Sequence, residues 1–158
     1  VDTKIGQWNV SAERKQRMAD LYQKNRLDKT SHGYGSEYHM RLRNRELLHN
    51  KFQGEQGYFY FLEFPKSLKI GFSKAWERRT TKQILGGRVI SIISGPTSEL
   101  ADLEFDSFMK FGDYTQLSSD GTRYTEYLDK KIKREVYKHL ENAVKNNKDL
   151  NFIVKNLS

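Results

Sequence analysis

The run Gly57-Tyr58-Phe59-Tyr60-Phe61-Leu62-Glu63-Phe64-Pro65 constrains this chain more than any other segment. Successive side chains of a strand point to opposite faces. Large apolar groups at consecutive positions therefore require a strand covered on both sides. Pro65 cannot donate to a ladder and ends the strand over 57–64. Residues 68–72 predict its partner, with Leu68, Ile70 and Phe72 on one face and Lys69 and Gly71 on the other. The short connection at 64–67 makes the pair an antiparallel hairpin. If Glu63 stands opposite Leu68, Lys69 stands opposite Leu62, and Lys69 shares a sheet face with Tyr60. A slip of one residue would undo that placement. Val89, Ile90, Ile92 and Ile93 predict a third strand over 88–94.

Helices are expected around these strands. Residues 11–29 carry Ser11 as N-cap and Met18, Leu21 and Tyr22 at helical spacing. Residues 31–36 read as a loop. Residues 37–50 read as a helix, although Tyr38, Met40 and Leu42 also fit a strand's alternation. These two helices have too little apolar surface to fold alone, so they dock on the core or order on a ligand. Residues 74–85 form a helix stopped by Gly86-Gly87, and 98–111 form a stronger one. Residues 113–123 are polar and read as a loop. A last helix spans 129–146, with Asp129 as cap and Ile132, Val136, Leu140, Ala143 and Val144 inward. The fold class is α/β (α+β): a small three-stranded antiparallel sheet flanked by helices. A basic helical arm over residues 1–50 precedes a core over 51–158.

Composition narrows the functions. The 158 residues include no cysteine, which excludes disulfides, thiolate zinc sites and a cysteine nucleophile. No apolar run suits a membrane span. The net charge of +8 is uneven. Residues 1–51 hold 11 Lys and Arg against 6 Asp and Glu, residues 52–125 hold 9 of each, and residues 126–158 hold 8 against 5. The flanks thus carry +5 and +3 around a neutral centre. Such flanks suit phosphate contacts on DNA, or simply a solvated basic surface. The DNA-contacting candidates are Arg14, Lys15, Arg17, Lys24, Arg26, Arg41, Arg43 and Arg45.

One acid is out of place. On helix 98–111, Glu99, Asp102, Asp106 and Lys110 share a polar arc, and Leu100, Ala101, Phe105, Phe108 and Phe111 cover the opposite side. Glu104 falls within the apolar side. Desolvation there demands a cation or strong hydrogen bonds. Pairing with Arg79 or Lys69, escape at the rim, and a metal ion each answer that demand. Asp102 and Asp106 read as ordinary solvated acids.

Tyr60, Lys69 in Leu68-Lys69-Ile70-Gly71, Arg79 in Trp76-Glu77-Arg78-Arg79, and Glu104 follow one another in an order suited to phosphodiester hydrolysis. One group prepares a nucleophile, one neutralises developing charge, and one holds a cation. Over about residues 57–140 the chain resembles the GIY-YIG nuclease superfamily. It is most similar to the phage-associated branch with K-I-G in place of Y-I-G and a T-E-[WY]-[FL] segment, here Thr125-Glu126-Tyr127-Leu128.

The resemblance implies a Mg²⁺-dependent DNA endonuclease, with Mn²⁺ as a substitute metal. Glu104 would be the only protein ligand to the ion. Tyr60 would be the general base, with Tyr58 in reserve on the same face. Lys69 would favour the tyrosinate or relay a proton, and Arg79 would hold the scissile phosphate. Glu126 would order Arg79, bind a water, or cap the last helix. Gln83 stands where many members carry His or Tyr, which leaves more of the task to Tyr60 and Lys69. His32, His39, His49 and His139 form no metal-binding pattern. The expected protein is cytoplasmic, in the producing cell or a phage-infected host, and makes no membrane contact. One site cuts one strand, so a double-strand break calls for a homodimer or sequential nicks. A site-selective endonuclease is expected. A structure-selective repair nuclease and an inactive DNA-binding module are the rival readings.

Overall fold

The computed structural model describes residues 11–25, 37–76, 87–117 and 123–157. Helix α1 (Ala12–Asn25) starts where Ser11 Oγ accepts from the Arg14 N–H at 3.2 Å, the expected cap. Helix α2 (Glu37–Lys51) leads into β1 (Gln56–Glu63), β2 (Leu68–Ser73) and β3 (Arg88–Pro96). Then come α3 (Thr97–Phe111), β4 (Thr115–Leu117), β5 (Arg123–Leu128), α4 (Lys133–Lys145) and β6 (Asn151–Lys155). The helix predicted over 74–85 lies outside the described residues from position 77 onward, as does the 31–36 segment.

The expected hairpin register holds: Glu63 is opposite Leu68, Leu62 opposite Lys69 and Tyr60 opposite Gly71. Strand β1 is central. Its odd residues, Phe59 and Phe61, face a core built with Leu100, Leu103, Phe108 and Phe111 of α3 and Val136 and Leu140 of α4. Its even residues, Tyr60 and Leu62, pack with Ile92, Val89, Trp76 and Val154 on the other face. Both faces of this strand are covered, as consecutive aromatics require.

The sheet is larger than three strands. Among the described residues it has six, in the order β4-β5-β2-β1-β3-β6. The polar stretch 113–123 contains β4 and the start of β5 rather than a continuous loop. Strand β6 is likewise an addition to the expected three. Of the three added strands, β4 and β6 lie at the edges, where one side of a strand meets solvent and the apolar signal weakens. Asp129 does cap the last helical segment, accepting from the Lys131 N–H, but a short 3₁₀ turn (Lys130–Ile132) precedes α4.

Helix α2 packs on α3. It therefore belongs to the helical layer of the core, the docking alternative for that part of the arm. Arg41 lies over the Phe108 ring at 3.5 Å and Arg45 over Phe105 at 4.4 Å. Asp102 is not an ordinary solvated acid. His49 Nε2 is 3.0 Å from its Oδ1 and Arg45 Nε is 4.0 Å away. Phe105 is correspondingly half-buried between helices, edge-on to Tyr38.

Candidate active site

A cavity of about 420 Å³ opens where β2 loses its neighbour. Among the described residues, β5 pairs with β2 at Leu68 and Lys69 alone. Beyond that ladder the Phe72 N–H meets a side chain instead: Glu104 Oε2 accepts from it at 3.1 Å. This explains how a carboxylate survives among apolar neighbours on α3. One oxygen lobe is stabilised by a backbone dipole, and Glu104 as a whole lines the cavity.

Tyr60 reaches the same cavity from the opposite face of the sheet. Its route depends on Gly71, its cross-strand partner. A Cβ at Gly71 would stand 2.6 Å from the Tyr60 hydroxyl oxygen and 2.8 Å from Cζ. The glycine of the K-I-G segment is thus a passage for the tyrosine. Gly57 has a matching role beneath Phe72, since a Cβ there would stand 2.5 Å from Phe72 Cε2. Each motif glycine seats an aromatic side chain that lines the cavity.

Lys69 is buried at 7% exposure on the Tyr60 face, as expected. Its Nζ lies 6.0 Å from the Tyr60 ring centroid and 5.2 Å from that of Tyr127, its neighbour across β2 and β5. Lys69 is behind Tyr60, away from the cavity lining. The Thr125-Glu126-Tyr127-Leu128 segment therefore meets the K-I-G segment by strand pairing. Glu126 lies within β5, and Asp129 accepts the cap hydrogen bond at the start of the last helical segment. Tyr58 shares the Tyr60 face but packs beside Leu62 and Ile92, outside the cavity lining. Arg79 lies outside the described residues.

The arm candidates separate. Arg14 and Arg17 are exposed on α1 and Lys15 is half-buried; Lys24 is also on α1, and Arg26 lies outside the described residues. Arg43 is exposed on α2. Arg41, by contrast, is only 4% exposed and lines the cavity with Glu104 and Tyr60. Its stacking partner Phe108 is one helical turn from Glu104, so the guanidinium and the carboxylate share one region of α3. Arg41 thus lines the cavity, where Arg43 lies exposed on the same helix. Arg41, Asn44, Leu48 and Lys51, one face of α2, all line the cavity. Phe52 and Phe72 complete that wall as a tilted aromatic pair 5.8 Å apart.

A single carboxylate beside a polar opening suits Mg²⁺, which keeps several waters and takes substrate phosphate as a ligand. Among the described residues no three His, Asp or Glu side chains converge, so the donor set does not suit an all-protein metal cage. No helix among the described residues is long and apolar enough to cross a membrane. No family model, curated protein or solved structure matches the chain.

Proposed function

We propose that this protein is a metal-dependent DNA endonuclease of the GIY-YIG type, hydrolysing phosphodiester bonds at the cavity beside β2. The observation that carries the reading is the meeting of Tyr60 and Glu104. They come from opposite faces of the sheet, yet line one opening across Gly71 and Phe72.

In this reading Glu104 holds a Mg²⁺ or Mn²⁺ ion together with water and substrate phosphate. When bound, the ion supplies Lewis-acid stabilisation of charge on the phosphoryl oxygens. The Phe72 N–H fixes the orientation of the Glu104 carboxylate. Tyr60 takes a proton from the attacking water. An ordinary tyrosine hydroxyl titrates near ~10, so tyrosinate needs a nearby positive charge. Lys69, behind the ring in a buried position, supplies one. The low dielectric of that position strengthens its effect. Arg79 belongs to the proposal as the phosphate-holding arginine, and the basic flanks as the grip on DNA. A homodimer, or two successive nicks, accounts for cleavage of both strands.

The test is cleavage of supercoiled plasmid with and without Mg²⁺, by wild type and by Glu104→Gln. Metal-dependent nicking by wild type alone supports the reading. Equal nicking by both proteins refutes the Glu104 assignment, and no nicking under any metal condition refutes the nuclease.

A further inference from the structure

The cavity is more than a metal-and-phosphate site needs. A duplex backbone presents phosphates and sugars, which call for polar and cationic groups. Here much of the lining is apolar: Leu47, Leu48, Phe52 and Phe72 line the opening together with Arg41 and Glu104. Leu47 is 63% exposed at its mouth. The Phe52–Phe72 pair is flanked by cations, with Lys51 Nζ 5.2 Å and Lys74 Nζ 5.3 Å from the Phe52 ring. Lys74 is in turn held by Glu55 Oε1 at 2.9 Å and the Gln56 carbonyl at 2.7 Å. The wall therefore stands on a fixed base.

Aromatic faces interleaved with cations are the physical signature of binding to unpaired nucleotides. The bases stack and the phosphates pair. The volume lies in the range of small-molecule sites that are largely apolar with a few placed polar groups. Phe72 joins the two halves. Its N–H holds Glu104 while its ring, seated on Gly57, forms the wall. A base on that wall and the phosphate attached to it would then address adjacent parts of one cavity. Asn44, at the same lining, carries an amide with donors and an acceptor for a base edge.

We infer that this cavity receives one unpaired nucleotide of the DNA strand being cut, its base against Phe52 and Phe72 and its phosphate toward Arg41. This rests on the nuclease reading for the cutting, but not for the binding. The substrate class is DNA with an unstacked nucleotide at the cleavage position. Fully paired duplex must first unstack that base, a cost that selects against it.

The experiment measures equilibrium binding in EDTA, where no cleavage intervenes. The probes are oligonucleotides with 2-aminopurine at one position: in a perfect duplex, in the same duplex with that base unpaired in a bulge, and in a single strand. The bulge and single strand should bind more tightly than the duplex and change fluorescence as the base leaves DNA stacking for the protein. Phe52→Leu keeps an apolar side chain and removes the π-face. It should weaken binding of the bulged DNA roughly 5- to 150-fold, the range for losing one base–aromatic stack. Affinity for the duplex should not change, and circular dichroism melting confirms that the variant folds. Equal affinity for all three DNAs, or a folded Phe52→Leu protein with the wild-type preference, overturns the inference. Mg²⁺-dependent cleavage of the same DNAs separates the two claims. Phe52-dependent binding without cleavage keeps the nucleotide site and sinks the nuclease. Cleavage without preference for the unpaired position does the reverse.

Discussion

Glu63 and Glu104 are both carboxylates set against one antiparallel sheet, and they differ in what surrounds them. Glu63, at the hairpin end, is 15% exposed and held by Arg88 Nε at 2.9 Å, Lys133 Nζ at 3.0 Å and Lys130 Nζ at 3.4 Å. Those cations tie β1 to β3 and to the start of the last helix. Burial alone would raise its pKa, but the hydrogen bonds and charges of Lys133 and Lys130 hold it below the usual carboxylate value. Glu104, at the other end of β2, accepts from a neutral backbone N–H and faces a cavity. A carboxylate surrounded by protein cations joins elements together. One presented to an opening can meet an ion or a substrate. In the proposed reading the first serves architecture and the second chemistry, even though both stand against the same rule about buried acids.

The largest effect that tests this contrast is expected from removing residues 1–50. On sequence, that deletion should weaken DNA binding and leave slow residual cleavage. The structure changes the expectation, because Arg41, Asn44, Leu47 and Leu48 would be removed from the cavity and one side of α3 uncovered. Cleavage should vanish, with a lower melting temperature. Deleting only residues 1–36 should instead keep cleavage and reduce affinity and its salt slope, by about 0.9 in log–log units for each phosphate no longer neutralised. An unchanged salt slope in a folded 1–36 deletion would remove DNA binding from the first helix.

Glu104→Gln should next abolish most cleavage with DNA affinity retained, while Glu63→Gln should leave the cleavage rate of folded protein unchanged. Loss of activity in both variants to the same degree breaks the comparison. Tyr60→Phe should lower cleavage by roughly 10²–10⁴-fold, the usual share of a general base. Gly71→Ala should cause a similar fall by pushing the Tyr60 hydroxyl aside, and the double variant should be little worse than either alone. Additive losses would show that Gly71 acts independently of Tyr60.

Smaller effects concern stability. Glu63→Gln should cost about 1–2 kcal/mol at neutral pH, between exposed and buried ion pairs. The folded pKa of Glu63 is depressed, so its contribution is present above the unfolded value near 4.5 and is lost as pH falls through the folded one. The acid limb of wild-type stability should therefore be steeper than that of Glu63→Gln, as read by urea denaturation at successive pH values. The smallest expected effect is that of Asp102→Asn. Its pairing with His49 and Arg45 is half-exposed, so roughly 1 kcal/mol or less is at stake. Cleavage should follow only as far as α2 shifts.

The central hairpin and the strongest helices were legible because their signals are local. Doubled aromatics require a strand covered on both faces, and Pro65 with Leu68–Phe72 sets the turn and the register. Glu104 announced itself by breaking a helical pattern. The edge strands β4 and β6 were not legible, since a half-solvated strand needs little apolar character. Nor was the face of α2, a helix polar nearly all round, whose inward side is chosen by the groove on α3 and not by its own periodicity.

Residue types and order by themselves determined which groups could carry phosphodiester chemistry, and that Tyr60 and Lys69 share a sheet face. Only the tertiary structure brought Glu104 and Tyr60 to one cavity, because they project from opposite faces and line the opening where the β2–β5 ladder stops and Gly71 leaves a gap. It also moved Arg41 from the solvated arm into the cavity. No local spacing encodes such meetings. They follow from where a ladder stops and which helix covers the opening, and packing over the whole chain decides both.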